Sequence, residues 1–402
     1  MEPEFLEALF RKKQEDSGIS RVLSIKSEPA VPGGENFLSA VQRVTAEVML
    51  GSGVKRTISV IVKGTVEAGP TSDLTSGMGF FDSESKVYSH ILKGMEDLME
   101  EFGDKRGLLW CDIYGYSPTM IVFEDLKRSD FKVTDRTECL DLAHSKLAIR
   151  SLARLHAMSK ILLKRKYFTA DDLKPYPIVA NIKFAEKLYG NGLRVLAREV
   201  KTWGSEWQDI ATRLEKYANV LASKMSALSV VDETKFNVMN HGDPWICNFM
   251  FMYDPYENRP IAMRMLDFQF CHYQTYAWDL NYFIHICLLG DLRREYFNEL
   301  LGDYAKELER TLLFYNYLDN DIPTHDDVKA EMERTKDLRM SFCLLTHPLL
   351  TAPVKKQFSL DECLSAGELL ENNCGYNLDM FRIRYKDEIG PDIKRLADEG
   401  VF

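Results

Sequence analysis

From residue 41 to residue 63 apolar and polar positions alternate with a period of two. In RTISVIVK (56–63), Ile58, Val60 and Val62 fall on one face and Ser59, Ile61 and Lys63 on the other. That pattern predicts a half-buried strand. VQRVTAEVML (41–50) shares the period, and Gly51-Ser52-Gly53 after it predicts a tight turn joining two neighbouring strands. PTMIVFEDL (118–126) reads as a further apolar strand ending on two acids. Helical spacing is found at 3–15 and 80–102, while 64–79, rich in Gly, Thr and Ser, reads as a loop.

Beyond residue 126 the period changes to that of helix. In 135–160, Leu140, Ala143, Leu147, Leu152 and Leu155 form one stripe, and Asp135 and Glu138 have the spacing of a capping box. Helix is also expected at 181–228, at 291–318 and from 325 to the end. Two short strands interrupt it, one before His241 and one, AMRML, before Asp267. A chain of 402 residues exceeds one ordinary core. The expected division is a β-rich front of 1–126 and a helical body of 127–402 that holds a small strand-loop-strand insert.

That insert carries the chemistry. VMNHGDPWICNFMF (238–251) places His241, Asp243 and Asn248 in an oily run. Unpaired polar groups there cost about 1–3 kcal/mol each, so internal partners or a ligand must satisfy them. A buried His-Asp pair closing a turn is the plain alternative. Asp267, in LDFQ, directly follows an apolar strand. Asn248 and Asp267 offer oxygen ligands for Mg²⁺, which keeps several waters and holds substrate phosphates. Asp243 is then left to accept a proton from an attacking hydroxyl, and phosphoryl transfer needs little more. Upstream, Lys63 ends a strand where a cation can reach nucleotide phosphates, and Glu84 begins a helix where it can hold Lys63. Glu124, Asp125 and Leu126 close the front domain, where hinge backbone can bond an adenine. Strand lysine, helix glutamate, hinge, H-x-D-x-x-x-x-N and metal aspartate stand in kinase order. Zinc chemistry at His241, Asp243 and Asp267 would need more histidines nearby.

VMNHGDPWICNFMF, RMLDFQFCHYQTYAWDLNYF, IVFEDLKRSDF and LARLHAMS resemble the ecdysteroid kinase-like family, a branch of the aminoglycoside phosphotransferase and choline kinase superfamily. GGENFLSAVQRV (33–44) and FFDSESKVYSHIL (80–92) extend the resemblance from about residue 5 to 390. It implies an α+β, two-lobed protein-kinase-like fold with a β-rich N-lobe and a larger, mostly helical C-lobe. It also implies ATP- and Mg²⁺-dependent phosphorylation of a small-molecule hydroxyl, with a steroid or other apolar alcohol as the acceptor it favours. On that resemblance Asp243 looks like the base, and Asn248 and Asp267 like the magnesium ligands. Lys63 looks like the phosphate-binding lysine, Glu84 its partner, and His241 and Asp279 like braces of the catalytic loop. Gly242 stands where protein kinases commonly have arginine and Gln269 where they have the glycine of D-F-G. No A-P-E follows Asp267, which disfavours a protein substrate. No G-x-G-x-x-G is present at 32–39, so phosphate contact there would fall to Gly33, Gly34, Asn36 and Ser39.

Composition removes some partners. The net charge of −10 argues against a general nucleic-acid binder. Eight cysteines without a C-x-x-C pair read as free thiols in a reducing cytoplasm. No secretory signal is visible at the start, and the most apolar stretch, 276–290, is too short to span a membrane and holds Asp279 and His285. His156, His272, His285, His325 and His347 read as packing histidines, and Trp203, Trp207, Tyr276 and Trp278 as core or pocket wall. Two rival functions stand. A choline- or aminoglycoside-type kinase would need an acidic acceptor pocket. A silent carrier of a hydrophobic ligand would have no need of the whole base-and-metal set.

Overall fold

The structure, a computed structural model, describes residues 3–13, 18–30, 40–64, 79–354, 358–365 and 371–402. Its fold is the two-lobed α+β arrangement expected. The front is a five-stranded antiparallel sheet in the order β1-β2-β3-β5-β4. Its strands are β1 (Ile19–Pro29), β2 (Ala40–Leu50), β3 (Lys55–Gly64), β4 (Ile113–Ser117) and β5 (Met120–Glu124). β2 and β3 pair from Ala40↔Gly64 to Met49↔Lys55 around the Gly51–Gly53 turn, where Gly53 takes a φ of 81°.

Alternation divides the labour of β3. Ile58, Val60 and Val62 join Val44, Ala46 and Val48 of β2 in a small core against Leu6 and Phe10 of the first helix, Pro3–Lys13. Each such buried side chain is worth about 1.5–3 kcal/mol. The other face of β3 brings Ile61 and Lys63 to the space beneath the sheet. Residues 80–102 form one helical run, Phe80–Lys86, a π turn at Val87–Leu92 and Lys93–Phe102. Its inward stripe of Phe80, Val87, Tyr88, Ile91, Leu92 and Met95 includes one acid, Glu84.

The helical body rests on Leu142–Lys164, which packs along Gly290–Phe314, and on Ala277–Cys287, in which every residue is buried. Four short strands make two antiparallel pairs: β6 (Asn237–Asn240) with β9 (His272–Thr275), and β7 (Phe249–Tyr253) with β8 (Pro260–Met265).

Several expectations need correction. The helix expected from Asp135 starts at Leu142, capped by Asp141, whose carboxylate accepts from the His144 amide at 2.9 Å. Cys139 holds a left-handed φ of 59°, which no helix can run through, and Asp135 spends its carboxylate on Thr137 instead. The stretch 181–228 breaks where Gly204 takes a φ of 136°. From 325 onward helix is repeatedly interrupted, as at the left-handed Asn373, Cys374 and Gly375, before the last helix, Tyr385–Asp398. Strands β1 and β4 lie in the front expected to be β-rich but were not singled out, and β7 and β9 were not expected. Trp207, Tyr276 and Trp278 are core. None of the eight cysteines is in a disulfide, and seven are buried. Among the described residues no helix is long and apolar enough to cross a membrane. Gly33, Gly34, Asn36 and Ser39, and residues 65–78 of the expected loop, lie outside the described residues.

Candidate active site

Lys63, Glu84, Glu124, Asp125, Leu126, Asp243, Asn248 and Asp267 line one cavity of about 300 Å³ between the sheet and the helical body. The backbone explains the convergence of the last three. β7 and β8 form a hairpin, with Phe249 opposite Met265. The pairing continues one step, the Leu266 amide donating to the Asn248 carbonyl at 2.8 Å. Asn248 and Asp267 therefore stand side by side at the open end of the hairpin, and the residues between them in sequence are the hairpin itself. Asp243 reaches the same place through a tight turn in which the Trp245 amide bonds the Asp243 carbonyl at 3.0 Å.

Each side chain here has defined partners. Lys63 Nζ lies 2.6 Å from Glu84 Oε2 and 2.8 Å from Asp267 Oδ1, tying sheet, helix and hairpin together. Burial acts to lower the ammonium's pKa, but the two carboxylates outweigh it and hold the group above its ordinary value. Glu84 moves up, pushed by burial against the pull of Lys63 and helped by the charge of Asp267. One ammonium between two carboxylates leaves a negative charge uncompensated, a setting that favours a further cation.

Asn248 Nδ2 donates both to the Asp243 carbonyl at 3.0 Å and to Asp243 Oδ2 at 2.9 Å. Its remaining ligand atom is Oδ1, and Asp267 keeps the oxygen that Lys63 does not take. Two hard oxygens fit Mg²⁺, which completes its shell with water and phosphate. Among the described residues no group of three or more His, Cys, Asp or Glu could hold a metal by itself. Any divalent ion here would thus need further ligands from outside these side chains.

Asp243 is pushed up to about 7, first by burial and further by the charge of Asp267, against hydrogen bonds from Tyr282 and Asn248 and the charge of Lys63. A carboxyl so poised can take a proton near neutral pH. The hydroxyl of Tyr282 donates to Asp243 Oδ1. Tyr282 stays protonated because burial, and then the nearby Asp243 charge, raise its pKa far above the ordinary value.

His241 and Asp279 lie behind the cavity, fully buried. Asp279 accepts from the His241 amide at 2.7 Å, from the Gly242 amide at 2.9 Å, and meets His156 Nε2 at 3.0 Å. Burial alone would raise its carboxyl, but the His156 ring and the loop amides hold it below its ordinary value. His241 Nδ1 accepts from the Asp243 amide at 3.3 Å, so Nε2 is the protonated nitrogen that meets the Leu266 carbonyl at 3.0 Å. Burial pushes this imidazole down and keeps it neutral. The ring thereby joins the Asp243 loop to the strand end before Asp267. Gly242 is dictated by geometry. Its φ is 85°, and a Cβ there would lie 2.1 Å from the Phe270 carbonyl oxygen.

At the hinge the Asp125 carboxylate is occupied by Arg43 Nε at 2.8 Å and Ser59 Oγ at 2.6 Å, and Glu124 Oε1 accepts from the Asp112 amide at 2.8 Å. These side chains fasten the hinge, whose Glu124 amide and Asp125 and Leu126 carbonyls are themselves bonded within the protein, to the Asp112 carbonyl and to the Arg128 and Phe131 amides.

Sequence reasoning missed Tyr282, although it stands one helical turn after Asp279 in WDLNYF, on the same face. It treated His156 as packing, and His156 is indeed buried, but as a link from Asp279 to the Tyr304 hydroxyl at 2.8 Å. Two more cavities adjoin the site. One, of about 290 Å³, has Gln269, Phe80, Ser83 and Lys174 among its walls. The other, of about 140 Å³, is walled by Phe80, Tyr176, Tyr189, Phe270 and Tyr282 among mostly aliphatic neighbours.

The model of the ecdysteroid kinase-like family matches residues 33–317. No curated protein matches the chain. Among solved structures, the streptomycin-ATP-APH(2")-IIa ternary complex is similar at 12% identity, over 84% of this chain and 98% of that one, with a TM-score of 0.33. The gentamicin-APH(2")-IIa complex is similar at 13% identity, over 86% and 96% of the two chains, with a TM-score of 0.34.

Proposed function

Since the chain belongs to the ecdysteroid kinase-like family, whose members are small-molecule phosphotransferases, we propose that it moves the terminal phosphoryl group of ATP onto a hydroxyl of an apolar, steroid-like alcohol. The observation that carries this reading is the convergence of Lys63, Asp243, Asn248 and Asp267 on one cavity. The adenine lies against the backbone of 124–126, and Lys63 meets phosphate oxygens. Asn248 Oδ1 and Asp267 would hold Mg²⁺, which would supply positive charge to offset that of the phosphates. The acceptor oxygen attacks the γ-phosphorus, the bond from phosphorus to the bridging oxygen of ADP breaks, and the hydroxyl proton passes to Asp243. Residues 1–126 form the nucleotide lobe and 127–402 the catalytic and acceptor lobe. Mostly buried cysteines without a disulfide fit a reducing cytoplasm.

The cavities beside Asp243 support a neutral acceptor. No Asp or Glu is among their described walls, and one of them includes Lys174. A choline- or aminoglycoside-type cation would find no counter-charge there. The test is incubation of the protein with Mg·ATP and, separately, neutral steroid alcohols, choline and an aminoglycoside, with mass spectrometry for the gain of one phosphate. Transfer to the neutral alcohols alone is expected. Transfer only to the cations would overturn the acceptor class, and transfer to none would overturn the enzymatic reading.

A further inference from the structure

Gln269 lies two residues past Asp267, in the short 3₁₀ turn Phe268–Phe270. It is 7% exposed, and among the described residues none hydrogen-bonds its carboxamide. Other buried amides nearby donate to backbone carbonyls. Asn240 Nδ2 bonds the Gln274 carbonyl at 3.0 Å, Gln274 Nε2 the Ser229 carbonyl at 2.8 Å, and Asn281 Nδ2 the Ala277 carbonyl at 2.9 Å. Its amide atoms are not among the fully enclosed polar atoms, so the Gln269 carboxamide, bonded by no described residue, faces the cavity space, where a ligand can take its donor and acceptor.

Its position says which ligand. Gln269 borders the cavity that holds Lys63, Asp243 and Asp267, and also the adjoining one walled by Phe80 and Lys174. It thus stands where the nucleotide space meets the space left for an acceptor. The charge of a terminal phosphate is already answered by Lys63 and by the ion that Asn248 and Asp267 would hold. A neutral amide, with donor and acceptor side by side, matches a hydroxyl or carbonyl oxygen. The reacting hydroxyl gives its proton to Asp243, so Gln269 must engage another oxygen close by.

Resting on the phosphotransferase reading, we propose that Gln269 hydrogen-bonds a second oxygen of the acceptor, so that the acceptor is an apolar scaffold bearing two neighbouring oxygens. One is phosphorylated and the other sets the register.

Estradiol and estriol make a suitable pair, because estriol adds a hydroxyl vicinal to that on the five-membered ring. Dissociation constants of both are measured calorimetrically on the full chain and on Gln269→Leu, together with kcat/KM for any transfer. The intact protein should prefer estriol about five- to tenfold, the scale of one hydrogen bond. The ratio should fall to near one in Gln269→Leu, with Gln269→Met serving if the leucine variant does not fold. Failure to bind either steroid, equal binding by the intact protein, or a preference that survives the substitution overturns the proposal. So does a loss in Gln269→Leu that falls equally on both steroids and on ATP. Preferential binding without any phosphoryl transfer would sink the phosphotransferase reading while leaving the Gln269 contact in place. Transfer without preference would sink the Gln269 contact alone.

Discussion

Tyr282→Phe removes one hydroxyl and leaves a ring in the wall of the apolar cavity. That hydroxyl donates to Asp243 Oδ1 and opposes the burial that pushes the Asp243 carboxyl up to about 7. A hydrogen bond to a charged group is worth about 1.5–3 kcal/mol, and one pKa unit is about 1.4 kcal/mol. Losing it should therefore raise the carboxyl by a further one to two units, roughly. The sign follows from the role. A base must be unprotonated, so activity is lost as pH falls through the folded pKa. In the intact protein that loss should be centred near 7. In Tyr282→Phe it should be centred at about 8–9, so that kcat/KM at neutral pH drops about five- to fiftyfold and recovers in alkali. The assay is kcat/KM from about pH 5.5 to about 9.5, which reports groups of the free enzyme. Superimposable profiles, or a loss that is the same at every pH, would refute the account of how Asp243 is held.

Gly242→Ala forces a side chain into a left-handed backbone and onto the Phe270 carbonyl. It should cost about 2–5 kcal/mol in urea denaturation, and a midpoint like that of the intact protein would contradict the close approach. Asp279→Ala strips the His241 and Gly242 amides and His156 of their common partner. It should cost about 3–5 kcal/mol, read the same way, and an unmoved midpoint would show that the brace is dispensable. Asp267→Ala should abolish the difference in ATP affinity measured calorimetrically with and without Mg²⁺. A difference retained would place the metal elsewhere.

The sequence made strongly periodic elements visible. β2 and β3, with opposite faces committed to core and cavity, needed only the period of two and the turn glycines. Asp243, Asn248 and Asp267 were visible because polar groups at that spacing in an oily run have few uses. What stayed hidden depended on tertiary pairing. β4 is IYGYS, too short and too interrupted by glycine to alternate, and it is a strand only because β5 lies beside it. β7 reads as a uniform apolar run, FMFMY, which fits helix or strand until β8 pairs with it. Asp135 and Asp141 both carry capping chemistry, and the left-handed Cys139 decides between them. The Gln269 carboxamide became informative only once the structure left it without a partner.

The central claim is that Asp243 works as a base on a nucleotide held by Lys63, Asn248 and Asp267. Single-turnover transfer from γ-labelled ATP to an accepted alcohol, compared between the intact protein and Asp243→Asn, tests it most directly. The account predicts near-normal Mg·ATP affinity in the variant, with transfer slowed about 10²–10⁴-fold. Transfer at the rate of the intact protein would contradict it.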